Sequence, residues 1–255
     1  MQKQKFEFDI LEMYYDKDYY VDNLIKIRQP KIKEIIDYGE FEFYNLINML
    51  CGNTTSMRLI LWENGINWNK ISDFELFCMI APNFKKEETE ILLGDFDLSK
   101  LHITEKENGK NILIYLDNPE IQIDEDVYYE FVNYLRLMFN INPKVEKATN
   151  KSTAELMIFD DQMEIEKQKR LSKNAMYKKS VLFPLISSAV NHPGFKYNKY
   201  EVLDLNIFEF YDSIKRLQIF ENSTSFMKGI YSGMIDASKI ANLENELNWT
   251  RDIYI

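Results

Sequence analysis

Hydrophobic positions along this chain recur in short blocks at helical spacing, and proline and glycine separate the blocks. Residues 24–28 read as a strand or extended lead-in ended by Gln29-Pro30, and residues 31–38 read as a helix that Gly39 stops. Phe43, Tyr44, Ile47, Leu50 and Cys51 fall on one side of a second helix, ended by Gly52. Thr54 and Thr55 are candidate caps for a helix running through Trp62, with Asn64-Gly65 as its break. Asp73 begins a further short helix over 74–80, closed by Ala81-Pro82. Helices this short pack in layers rather than as a coiled coil.

The spacing changes from helical to alternating between 98 and 123. Leu101, Ile103 and Glu105 alternate with His102 and Thr104, Asn108-Gly109 suits a type I′ turn, and residues 112–116 return. This places His102 on the face opposite Leu101 and Ile103. Asn118-Pro119 ends the return strand, and Ile121-Gln122-Ile123 supplies a third edge. Asp124-Glu125-Asp126 then sets negative charge at the start of a helix over 127–139, with Val127, Phe131, Tyr134, Leu135 and Met138 inward. A hard cation needs six or more oxygens arranged by a loop, which does not follow here, so the triplet reads as helix initiation.

Asn142-Pro143 and the polar run 144–152 form the best domain boundary. Beyond it, acidic residues from Glu155 give way to Lys167, Lys169, Arg170, Lys173, Lys178 and Lys179, a charge order that suits a helix dipole, with Ser152 or Thr153 at its start. This stretch reads as a solvated helix and connector rather than a polyanion site. The resulting division is a mixed α+β domain over 1–141, a charged helical connector over 142–179 and a helical domain over 180–255. The expected fold class is α+β, predominantly helical, with a small antiparallel hairpin in the N-terminal half and a C-terminal helical bundle.

In the last part Ser180 can cap residues 181–190, Pro184 being tolerated in the first turn. Asn191-His192-Pro193-Gly194 is a turn, in which His192 reads as a turn residue without an accompanying carboxylate. Ile207, Phe210, Tyr211, Ile214 and Leu217 make an apolar helical stripe. Ser225, Gly229, Gly233 and Ala237 recur every fourth position, a spacing that lets two helix backbones approach, so Gly229 and Gly233 are expected at a close helix crossing. Trp249, beside charge, either pins the tail to the body or anchors a partner.

Composition narrows the chemistry. The 255 residues include two histidines, His102 and His192, and two cysteines, Cys51 and Cys78, none at metal-like spacing. The cysteines, in apolar surroundings, read as buried thiols of a reducing compartment. No catalytic, cofactor or metal site is expected; a hydrolase built on Asp160, Asp161 and Glu164 is the least favoured reading. A formal charge of −10 opposes direct binding to nucleic acid. No stretch has the run of about 18 apolar residues that spans a bilayer. The amino terminus carries charge without an apolar run, so neither a secretory signal nor a membrane anchor is expected, and the product is expected in the cytoplasm or in a particle assembled there.

The segments Ile25 to Tyr44, Ile71-Ser-Asp-Phe-Glu-Leu-Phe77, Tyr231 to Ile240 and Leu247-Asn-Trp-Thr-Arg-Asp252 resemble phage and prophage proteins of the tail module in low-GC Gram-positive bacteria. The resemblance covers most of the chain and rests on packing and turn patterns. It implies an assembly role, as a tail or baseplate assembly chaperone or a virion component, with other tail or baseplate proteins as partners and no catalytic residue carried over. Phe226, Met227, Gly229, Gly233, Met234 and Trp249 are the candidate partner contacts, methionine supplying adaptable apolar surface. An acidic inhibitor of a host defence or nucleic-acid enzyme is the alternative.

Overall fold

A computed structural model describes residues 6–106, 109–173 and 179–254. Asn108 of the expected turn, Lys178 of the basic run and the first five residues lie outside the described residues. Asp9 caps α1 (Ile10–Tyr14), its carboxylate accepting from the Leu11 and Glu12 amides. Next come β1 (Tyr19–Val21) and β2 (Ile25–Ile27), an antiparallel pair joined through Asp22 and Asn23, both at positive φ. A type I′ turn requires that conformation, and Asp and Asn tolerate it. Only the second of these strands is marked in the sequence reading, because neither residue of the turn is glycine.

Pro30 and Gly39 frame α2 (Ile32–Tyr38), Gly39 taking φ +107°. It is followed by α3 (Glu40–Cys51), which buries Phe43, Leu46, Ile47, Leu50 and Cys51 and ends at Gly52. Helix α4 (Arg58–Glu63) starts later than the threonines suggest. Asn53 and Ser56 hydrogen-bond each other across the turn before it, and Thr55 donates to the Glu146 carbonyl, so neither threonine caps the helix. Ser72 and Glu75 form a reciprocal cap at α5 (Asp73–Ile80), with Ala81-Pro82 in a single 3₁₀ turn behind it. Helix α6 (Lys86–Leu93) completes this layer.

The expected sheet is present as β3 (Leu101–Glu105), β4 (Asn111–Tyr115) and β5 (Gln122–Ile123), antiparallel in that order. Lys106 and Lys110 are hydrogen-bonded across the hairpin, and Gly109 takes φ +75°, the positive backbone angle expected of it. Strand β3 is an edge: Leu101 is buried, but Ile103 is exposed together with His102, because no layer covers the strand beyond its first residue. Helix α7 (Glu125–Met138), capped by Asp124, is the axis of the molecule and buries Tyr128, Phe131, Val132, Tyr134, Leu135 and Met138. It packs against α3, α5, β1 and β5.

Helix α8 (Lys151–Lys173) begins at Asn150, whose side chain accepts from the Thr153 amide, rather than at Ser152 or Thr153. It buries Ala154 and Ile158 in a small second cluster with Leu61, Trp68 and Leu76. Helix α9 (Leu182–Val190) is capped by Ser180, which accepts from the Phe183 amide. Then α10 (Ile207–Tyr231) starts at Asn206 and α11 (Leu243–Leu247) lies against it. Leu182, Ala189, Val202, Leu205, Ile207, Phe208 and Phe210 join the same core as Ile32, Phe43 and Leu135.

Asn206 is fully buried where the early and late parts of the chain meet. Its side chain accepts from the Glu209 amide at 2.7 Å and donates to Asp16 Oδ1 at 2.6 Å, while Ile32 and Ile207 bond to the Leu205 and Pro30 carbonyls. The result is a predominantly helical α+β fold with its small antiparallel sheets in the N-terminal half. Among the described residues no helix is long and apolar enough to cross a membrane.

Candidate partner-binding surface

The far half of α10 leaves the main core and is covered along one side by the end of the chain. Tyr254 donates to Asp212 at 2.8 Å, Arg216 to the Arg251 carbonyl at 2.7 Å, and the buried Ser223 hydroxyl to the Glu246 carbonyl at 2.7 Å. Trp249 meets Phe220 edge to face at 5.8 Å between ring centres and remains half exposed. Trp249 therefore helps to fasten the tail, and it keeps part of its ring in solvent.

The tail reverses at Gly233, which has φ +73° and follows the last turn of α10. The Ile235 amide bonds back to the Gly229 carbonyl at 3.0 Å. This lays the Ile235 side chain on Gly229, with its Cδ1 only 2.4 Å from where a Cβ would stand; at Gly233 a Cβ would meet nothing within 4 Å. The helix crossing expected at these glycines is not what they make. Gly229 admits the returning isoleucine, and Gly233 supplies a left-handed turn, because the helix ends before the four-residue spacing is complete.

What this reversal exposes is apolar. Tyr231 is 87% and Met234 86% exposed, while Phe226 and Met227 are partly covered. Met227 precedes Tyr231 by one helical turn, so the two share a face. The sequence reading marks Phe226, Met227 and Met234 but not Tyr231.

Of the titratable groups set out from the sequence, His192, Asp161, Glu164, Lys167 and Arg170 are held in structural bonds. His192 Nδ1 accepts from the Gly194 amide at 3.0 Å, and its Nε2 lies 3.1 Å from the Glu221 carboxylate. A carboxylate does accompany His192, contrary to expectation, since α10 brings Glu221 back over the turn. The pair ties turn to helix. His102 stands exposed on β3 opposite Ile114. Asp161 takes a bidentate pair of bonds from Arg58, at 2.6 and 2.7 Å, and Glu164 accepts from Lys167 and Gln168, so these two carboxylates of α8 are held in separate contacts. Lys167 and Arg170 pair with Glu164 and Glu166 on their own helix. Cys51 and Cys78 are free and buried; burial pushes the Cys51 thiol up to about 12 and that of Cys78 up to about 11.

A broad open groove of about 1590 Å³ runs beside α7, between Lys106 of the hairpin and Pro143. Several of its charged groups are held by structural bonds. Arg136 donates to the Cys51 and Gly52 carbonyls, and Asp73 accepts from the Thr54 amide. Burial acts to raise the Asp124 carboxyl, but bonds from the Val127 amide and Lys106 outweigh it and hold the group below its ordinary range.

Residues 175–254, which contain α9, α10 and the tail, match the model of a domain family described as YomV second domain, a family of phage and prophage type. No curated protein and no solved structure matches the chain.

Proposed function

We propose that this protein is a non-catalytic, protein-binding factor of a phage or prophage, and that it serves as an assembly chaperone for tail or baseplate proteins. The observation that carries the reading is the end of α10, where Tyr231 and Met234 stand almost wholly in solvent and Met227 lies one helical turn before Tyr231. This apolar tip lies in the stretch that matches the phage-type family. Methionine and tyrosine together make an adaptable contact: the thioether adjusts to irregular partner surfaces, and the phenol offers a large ring with one polar end. The charge of −10 keeps the rest of the molecule soluble while the tip is open.

Purified particles and the cells that make them test the role. A chaperone is present in induced cells together with tail or baseplate proteins and missing from mature virions. Presence in virions at a symmetric copy number identifies a permanent subunit instead. Recovery with a host defence or nucleic-acid enzyme alone supports the inhibitor reading and overturns the assembly role.

A further inference from the structure

Helix α8 has two apolar faces and only one is covered. Ala154 and Ile158 pack toward α4, where Arg58 also holds Asp161. At 100° per residue, Leu156, Phe159, Met163 and Leu171 fall on the opposite side, and they are 60%, 56%, 48% and 59% exposed. Leu156, Phe159 and Met163 are spaced three and four apart, the spacing of a helix seam. Charge along the same helix is divided by length. Residues 151–166 hold five carboxylates and one lysine, and residues 167–173 hold three lysines and one arginine. The helix dipole accounts for charge only in the first and last turns, whereas these carboxylates continue through Glu164 and Glu166 past the helix midpoint.

We infer that the open face of α8 is a self-association surface, occupied by α8 of a second copy of this chain in antiparallel orientation. A two-fold axis between Met163 and Glu164 sets Asp160 of each helix beside the basic stretch that begins at Lys167 of the other. Under it Leu156 lies opposite Leu171 of the second copy, and Asp160 opposite Lys167. Phe159 is brought beside a surface notch of about 280 Å³ lined by Met163, Glu166, Lys167, Arg170 and Leu171. The arrangement is self-complementary, as a two-fold contact must be. A parallel pair would instead oppose like charges along the whole length. The surface is separate from the tip of α10, and either can hold without the other.

Sedimentation of the full chain over a range of concentration tests this inference. The expected result is a monomer–dimer equilibrium that weakens as salt is added, since exposed cross-helix pairs are screened. Phe159→Glu and Met163→Glu should leave only monomer with an unchanged circular dichroism spectrum, because both side chains are already half in solvent. Asp160→Lys should weaken the dimer about tenfold or more by opposing like charges, and adding Lys167→Asp should restore it. Met163→Cys should cross-link two copies on mild oxidation. A chain that stays monomeric at every concentration overturns the inference. So does a dimer indifferent to these substitutions, or a monomer whose α8 face is taken by a different protein.

Discussion

Glu40, the first residue of α3, closes the start of a helix 142 positions later: its carboxylate accepts from the Leu182 amide at 2.7 Å. The same carboxylate takes bonds from the Val181 amide and the Ser180 hydroxyl. Two of the amides that a helix start leaves unpaired are thus satisfied across the fold, with the negative charge at the favourable end of the dipole. Glu40→Ala should lower unfolding free energy by about 1–2 kcal/mol, read from urea denaturation. Ser180→Ala should cost less, and the double variant should cost less than the two together, because both groups serve the same helix end.

The two glycines at the end of α10 should separate cleanly. Gly229→Ala places a methyl where Ile235 Cδ1 already sits, so the tail must lift, at about 1–3 kcal/mol by overpacking. Gly233→Ala has open space but a positive φ, and should cost about 1 kcal/mol. Hydrogen exchange should show faster exchange along the tail for the first variant. Equal effects at both positions would contradict this geometry.

Asn206→Leu removes the cap of α10 and leaves buried groups near Met13 and Asp16 without their donor. A loss of about 2–4 kcal/mol in thermal or urea unfolding is expected, among the largest for a single polar side chain here.

Stability should fall in alkaline solution. Burial raises the Cys51 and Cys78 thiols to about 12 and 11 and the Tyr14 phenol to about 12, and pushes Tyr44, Tyr128 and Tyr134 up as well. Above the ordinary thiol value the unfolded chain gives up these protons while the native chain keeps them. The unfolded state then binds fewer protons, so unfolding free energy decreases with pH. The decline should begin near pH 9 and steepen above pH 10, where phenols join. Melting temperatures between pH 7 and 11 measure it, and a flat profile would count against the buried thiols and phenols.

The sequence carried most of this fold where a side chain or backbone requirement is local. Pro30 and Gly39 bracket α2, Ser72 and Glu75 open α5, and Asp124 opens α7 within its own first turn. What was illegible depends on distant parts of the chain. The β1–β2 turn uses Asp22 and Asn23, which read as ordinary polar residues without a glycine. Ile103 alternates correctly but faces solvent, because alternation cannot tell an edge from a covered strand. The spacing of Gly229 and Gly233 looks like a helix contact because the helix stop falls between them. In the candidate surface, residue type alone points to Met234, whereas the exposure of Tyr231 depends on the reversal of the tail at Gly233.

On the proposed function, the apolar tip of α10 holds a tail or baseplate protein. Affinity capture from phage-producing cells with the native chain and with Tyr231→Asp plus Met234→Asp, read by mass spectrometry, tests it most directly. Both side chains are almost wholly exposed, so the double variant should keep the native melting temperature. The native chain should bring down a tail or baseplate protein, and the variant should lose it. Undiminished capture by the variant, or capture only of proteins outside the tail and baseplate, would contradict it.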